Sequence, residues 1–388
     1  LCGGSVEGCQ RSVDGGASRR MTVRSATALM ISFLLVSACG PALVQQSGDW
    51  PGFRGGPEMA GVAGSTLPAK PRLLWTYEAG SSIESTAAIV GDTAFVGTKK
   101  GAVLAIRMSD GKLKWKFKAK DAVTASPCVY GNTVYVGDES GAFYALNRAT
   151  GKPLWKFEAG SKIISSANAA PGVVFFGCYN NNLYCLDAKT GKPRWTKETE
   201  AQVHCSPCLA EGKLMIAGCD GYVRIIDPAT GKDRHKASLD TNLSAAPAYR
   251  SGKVYVGSLS GDYLAVRVSD GKILWKHKLQ SGGGLYASAA VAGDAVVFAS
   301  RSRTIFHADS ATGKVRWVFK AGGDSSPVIA GSTAYVGSDD GNLYGLSLTS
   351  GKKLWQFKTG SEITASPAIS GGRMVIGADD GAVYCFGK

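Results

Sequence analysis

Gly151-Lys152-Pro153-Leu154-Trp155-Lys156-Phe157 is a phrase the chain repeats. Gly-Lys followed by Trp three residues on recurs at Gly111-Lys112 with Trp115, at Gly191-Lys192 with Trp195 and at Gly271-Lys272 with Trp275. It recurs again at Gly313-Lys314 with Trp317 and at Gly351-Lys352 with Trp355. Gly231-Lys232 is followed by His235 where the Trp belongs, and Trp75 stands one period ahead of the first pair. The steps along this series are 40, 40, 40, 40, 40, 42 and 38 residues. Self-similarity at such a period marks a repeat architecture, in which one unit is too small to bury its own apolar face and stability comes from stacking neighbours.

Working outward from the phrase, each unit reads as four short strands. Ala125-Ser126-Pro127-Cys128-Val129-Tyr130 is a first strand, ended by a turn at Gly131-Asn132. Thr133–Gly137 is a β-branched and aromatic second strand, and Ala142–Leu146 follows the polar turn 138–141. The turn 148–152 supplies Gly151 where a positive φ is needed, and 154–157 is the fourth strand. Four strands per unit, repeated, describe propeller blades. The chain ends on a third strand, Ala382–Phe386, and its repeats open on a fourth strand, Leu73–Tyr77. The N-terminal strand is therefore expected to complete the last blade, which leaves no orphan edge. The fold class is all-β: an eight-bladed propeller of four-stranded blades over residues 73–388.

The net charge of +14 suits a protein working near acidic partners or anionic headgroups. Many lysines fall at one repeated turn position, which spreads them around a ring rather than along a groove. No nucleic-acid partner is expected from that distribution. The ten cysteines make no disulfide framework. Cys128, Cys185, Cys208 and Cys385 fall where other units carry Ala, Val or Asn, so they read as small buried hydrophobes.

Residues 1–20 are Gly- and Ser-rich without apolar period and read as an unstructured extension upstream of a start at Met21. Residues 21–38 have the proportions of a signal peptide: Arg24, then an apolar run over 26–36 that is too short to span a bilayer. Leu35-Val36-Ser37-Ala38-Cys39-Gly40 resembles the bacterial lipobox. The resemblance implies cleavage before Cys39 and lipidation there, and Gly40 rather than Asp implies export to the outer membrane. Residues 39–72 form a linker. Its Asp49-Trp50-Pro51-Gly52-Phe53-Arg54-Gly55 knot is expected to strap onto the propeller.

Leu186-Asp187-Ala188-Lys189-Thr190-Gly191-Lys192-Pro193-Arg194-Trp195, with looser copies at 147–155 and 309–317, resembles the tryptophan-docking motif of the pyrroloquinoline-quinone (PQQ)-type propeller repeats. The resemblance covers 73–388. It implies that Trp75, Trp115, Trp155, Trp195, Trp275, Trp317 and Trp355 each pack against the next blade, with His235 the exception. Two branches of that family differ in function. The quinoprotein dehydrogenases hold PQQ and calcium over the channel, often with a disulfide of adjacent cysteines. This chain has no Cys-Cys pair and none of the long insertions that build that site. The BamB-like lipid-anchored propellers of the periplasm match its plan: lipobox, short linker, bare ring.

Local motifs add little chemistry. Cys205-Ser206-Pro207-Cys208 has redox or zinc spacing, but it sits in the first-strand register, where residues three apart point to opposite faces. Gly282-Gly283-Gly284 lacks the Lys-Ser/Thr of a phosphate loop. Asp339-Asp340-Gly341 and Asp379-Asp380-Gly381 read as hairpin turns rather than calcium loops.

One column stands apart: Glu84, Thr124, Ile164, His204, Ser244, Tyr286, Asp324 and Thr364 align while their flanks repeat. It should ring one mouth of the channel, with Glu84, His204, Tyr286 and Asp324 as candidate ligand or partner contacts. No catalytic or metal residues emerge, and no cofactor is expected. The sequence thus points to a monomeric, lipid-anchored scaffold on the periplasmic side of the outer membrane that binds other envelope proteins. The alternatives are a PQQ-dependent dehydrogenase with calcium, or a small-molecule sensor using the channel mouth.

Overall fold

A computed structural model of the protein describes residues 48–388. The lipidation candidate Cys39, the signal segment 21–38 and the extension 1–20 lie outside the described residues. Apart from a 3-10 turn at Phe53–Gly55, every regular element described is a strand. The strands form eight antiparallel sheets of four. Blade 2, for example, is Cys128–Tyr130, Thr133–Gly137, Ala142–Asn147 and Pro153–Glu158. Blades 1 to 7 are each continuous in sequence, and blade 8 is closed by the N-terminal strand Arg72–Glu78 pairing with Ala382–Gly387.

Burial follows position in the blade. Second and third strands are buried on both faces, so they read as unbroken apolar runs. The fourth strands alternate between exposed and half-buried, as in Pro153–Glu158, because one face meets the next blade and the other meets solvent. Adjacent sheets interlock through stacked rings such as Phe143 on Phe176, 4.0 Å between centroids.

Two details depart from the expected strand pattern. The first strands are shorter: in blade 2 the ladder starts at Cys128, not Ala125. Pro127 has no N–H to give a ladder, and the Ser126 N–H donates instead to the hydroxyl of Ser166 in blade 3. The fourth strands carry a β-bulge just before the docking tryptophan. Ala145 opposes Trp155 and Leu146 opposes Pro153, so Leu154 is the extra residue. The same shift places Leu74, Leu274 and Leu354 as bulge residues.

Candidate functional site

The blade-docking tryptophans come first, because they hold the ring that frames everything else. Trp155 Nε1 donates to the Ala188 carbonyl of blade 3 at 3.1 Å. Trp75 reaches Met108, Trp115 reaches Arg148, Trp195 reaches Pro228, Trp275 reaches Ser310 and Trp317 reaches Leu348 in the same way, at 2.8–3.2 Å. Each indole lies on the turn glycine of the following unit. At Gly191, with φ +71°, a Cβ would stand 2.5 Å from Trp155 Cε3. The Gly-Lys-x-x-Trp phrase is thus two halves of neighbouring interfaces: its glycine receives one indole, and its tryptophan supplies the next. Trp355 has no following unit of this kind and packs edge-on to Phe386 at 5.4 Å. His235 keeps only the backbone part of the contact, with the Gly271 turn against its Cβ.

His235 lies in a blade that departs twice from the pattern. Where Tyr144, Tyr344 and Tyr384 give their hydroxyls to Asp138, Asp340 and Asp380, blade 4 has Arg224. Its guanidinium is buried, in ion pairs with buried Asp220 and with Asp233, the latter at 3.0 Å.

The segment 48–66 crosses the propeller axis at one end of the channel and is tied to all eight blades. Its carbonyls accept the first-strand N–H groups of Ile89, Val129, Leu209, Tyr249, Val291 and Ile329. Asn168 donates through its side chain to Pro57 O, and Gly372 N–H donates to Ser65 Oγ. The six backbone N–H groups of the first strands lie on inward edges with no sheet neighbour, so the strap meets an obligatory hydrogen-bonding need there. Trp50 is buried among blades 8 and 1. Arg54 is fully buried and donates to Ala289 O and Pro327 O, at 2.9 and 2.5 Å. Its Nε and Nη1 have no partner, and burial pulls the guanidinium down to about 9.

Above the strap, Phe53 floors an axial cavity of about 140 Å3. All eight residues of the variable column line it, so the structure brings Glu84, His204, Tyr286 and Asp324 to one rim. Two residues deeper runs a belt of hydroxyls. The N–H groups of Thr86, Ser126, Ser166, Ala246, Ser288 and Ser326 each donate to the hydroxyl of the next blade, at 2.9–3.0 Å. The belt breaks twice: between blades 4 and 5, where Ala246 offers Ser206 no hydroxyl, and between blades 8 and 1, where no Ser366–Thr86 bond closes it.

Outward, the cavity opens into a mouth of about 410 Å3. Here the rim meets a second set of residues fifteen positions further along each unit. Lys99 pairs with Glu84 at 3.0 Å, and Tyr179 OH bonds His204 Nδ1 at 2.8 Å. Arg301 grips Asp324 through two bonds of 2.7 and 2.6 Å while its guanidinium stacks 3.4 Å over the Tyr286 ring. Thr124 Oγ1 donates to Glu139, which also pairs with Lys162. Thr364 and Ser82 both donate to Asp379. Asp339 completes this arc, and Gly323 lies so close that a Cβ there would collide with its carboxylate. Burial, then the charges of Asp324 and Glu362, raise the Asp339 carboxyl above the usual range. Burial pushes His204 down, which favours its neutral ring. This second set was missed in the sequence, although the same signal marks it: Lys99, Glu139, Tyr179, Cys219, Leu259, Arg301, Asp339 and Asp379 disagree where their flanks repeat.

The cysteine motif is not a thiol pair in use. Cys205 Sγ accepts the Ala217 N–H at 3.2 Å, the same bond that Ser85 and Ser165 make to Gly97 and Gly177. Burial lifts Cys205 to about 12, so it stays protonated. All seven cysteines described are free thiols. Glu84, Glu139 and Asp324 are each tied to a cation, and no three acidic, histidine or cysteine groups among the described residues converge as metal ligands.

The family model described as outer membrane protein assembly factor BamB matches residues 62–178, 166–284 and 219–387. BamB from Moraxella catarrhalis is similar in structure, with TM-score 0.73 and 19% identity, over 82% of this chain and 100% of that one. Quinohemoprotein alcohol dehydrogenase from Comamonas testosteroni is also similar, with TM-score 0.76 and 15% identity, over 88% of this chain and 81% of that one. So is the computationally designed Ika8 protein, with TM-score 0.68 and 18% identity, over 81% and 98%. At these identities the likeness is one of fold. No curated protein sequence matches the chain.

Proposed function

Because the chain belongs to the BamB family of outer membrane protein assembly factors, we propose that it is a non-catalytic scaffold that binds envelope proteins and assists outer-membrane protein assembly. The observation that supports this most is on the outer strands. Four of the bulges turn a leucine outward on the free edge of the ring, with Leu154 54% and Leu354 51% exposed, and Leu74 and Leu274 at the equivalent positions of blades 8 and 5, 38% and 37% exposed. Exposed leucines at fixed places on a rigid basic frame are suited to anchoring in a partner's pocket. The bulge also shapes the mode of binding. It breaks the edge ladder, so strand addition has only the regular stretch beyond it, such as 155–158, and side-chain docking carries the rest. Lipidation at Cys39 would hold the frame at the periplasmic face of the outer membrane, which suits a single-chain ring with a basic rim. PQQ-dependent dehydrogenation is the rival, and the ion pairs that already hold Glu84, Glu139 and Asp324 weigh against it.

Loss of the protein tests the reading in cells. Mutants are expected to hold less β-barrel protein in the outer membrane, with a normal capacity to oxidise alcohols. Unchanged barrel levels together with lost dye-linked alcohol oxidation would contradict it.

A further inference from the structure

The two ends of the ring differ in charge. Turns that join third and fourth strands bond the turns that join first and second strands: Arg148 N–H donates to Asn132 O, Ala188 N–H to Gly172 O and Val268 N–H to Gly252 O. The strap is tied to the latter turns, through Gly91 N–H to Asp49 and Gly372 N–H to Ser65. Both sets of turns and the strap therefore share one end. The other end is the channel mouth, where Asp and Glu outnumber Lys and Arg in the connections between strands.

The strap end carries the lysine of every Gly-Lys phrase, one on each of blades 1 to 7, from Lys112 to Lys352. All seven are exposed, and none is in an ion pair among the described residues. The aspartates of the same turns are already neutralised by arginines. Arg194 holds Asp187, Arg234 holds Asp227 and Arg316 holds Asp309, while Arg107 and Arg267 hold Asp110 and Asp270. The repeated phrase thus leaves a ring of unpaired ammonium groups around the strap, each on a long flexible stem. The chain enters at Gly48, next to Asp49, so a lipid on Cys39 would tether this same end.

We propose that the strap end of the propeller is a docking face for a membrane surface bearing anionic headgroups. Single charges spread around the axis, one to a blade, match a broad and flat acidic surface that meets them together. A protein interface of ordinary size covers only part of such a ring. The acidic mouth faces away from the headgroups, so the charges that attract one end also set the orientation. The docked ring keeps its leucine-bearing edges at the perimeter, open to protein partners. The contact needs no protein, so its failure would leave the scaffold reading untouched.

Co-sedimentation of the full chain with protein-free vesicles tests it, with Cys39→Ser as the parent so that no lipid is attached. Binding to phosphatidylcholine vesicles with about one-third phosphatidylglycerol is expected to far exceed binding to phosphatidylcholine alone. About 0.5 M sodium chloride should release the bound protein. Each lysine near such a surface is worth about five-fold, so Lys112→Gln, Lys152→Gln and Lys352→Gln together should weaken binding roughly a hundred-fold. Lys120→Gln, Lys320→Gln and Lys358→Gln together remove the same charge from the mouth end and should leave binding unaltered. All six positions are exposed, so both triple variants should melt like the parent. Equal weakening by the two would reduce the attraction to net charge and overturn the proposal. Equal binding to the two kinds of vesicle would overturn it too, as would binding to neither, which would leave the lysine ring to an acidic protein.

Discussion

Arg224 shows what a single buried charge demands. It stands where three other blades place a tyrosine hydroxyl on an aspartate, and it is buried against Asp220. Removing one partner of such a pair strands the other without solvent, which costs about 3–5 kcal/mol. Arg224→Ala should therefore lower the unfolding free energy by about that much in urea titrations. Arg224→Tyr, which restores the arrangement of the other blades, should cost much less. Equal losses for the two would mean that the position needs a cation rather than any donor.

The turn carboxylates behave differently because they are exposed. Arg194, then Thr190, hold the Asp187 carboxyl down to about 2, and Arg267 does the same for Asp270. Their unfolded value is about 3.9. A carboxyl depressed on folding contributes stability above its unfolded pKa and loses it as pH falls through the folded value. Stability should thus decline between about pH 4 and pH 2. Asn147 occupies the same turn position with the same backbone bonds and no titration. Asp187→Asn should accordingly flatten the decline in acid-unfolding curves while keeping the turn.

At the scale of elements, the unit of cohesion is the indole seated on the next blade's glycine. Gly191→Ala asks a residue with φ +71° to place a Cβ against Trp155, so both strain and overpacking oppose it. A loss of about 2–4 kcal/mol is expected in equilibrium unfolding. His235 offers the converse test. The carbonyl of Val268 stands 33 residues on, the spacing at which Trp75, Trp115, Trp155 and Trp195 find their acceptors. His235→Trp should raise stability by about 1 kcal/mol. A destabilised variant would show that blade 4 has committed its interface to the Arg224 cluster instead.

Elements are also where the sequence was most and least legible. The repeat phrase gave the strands, the turns and the closure by Arg72–Glu78, because period and turn chemistry are local. The short first strands were not legible, since Ser126 leaves its own sheet to bond Ser166 one blade away. The bulges were hidden as well: Leu154 reads as a strand residue, and only pairing with the third strand makes it the extra one. At the rim, the column holding Glu84, His204, Tyr286 and Asp324 was visible as a disagreement among repeats. Its partners Lys99, Tyr179 and Arg301 carried the same signal fifteen residues on, but their turns looked like ordinary hairpins. The pairing of Arg301 across Tyr286 and Asp324 joins blades 6 and 7, which no local pattern encodes.

For the whole molecule, the strap and the closing strand make separable contributions. The strap satisfies inner-strand N–H groups around the axis, at about 1 kcal/mol net for each bond, and buries Trp50. A chain beginning at residue 67 keeps the closing strand and should fold with a lower melting temperature. A chain beginning at residue 80 loses that strand, exposes the third strand of blade 8 along its length, and should lose cooperative unfolding. Similar melting of the two would assign closure to the strap instead. The same rigid ring underlies the functional reading: a frame closed at its seam and plugged at one end presents fixed side chains on its outer edge.

Photo-cross-linking in the intact envelope tests that reading most directly. A photoreactive residue in place of Leu154 or Leu354 should give a discrete adduct with an outer-membrane assembly protein, whereas one in place of Lys232, on an outer turn, should give none. Adducts of equal yield and pattern at all three positions, or none at the leucines, would contradict a scaffold that binds through its outer edges.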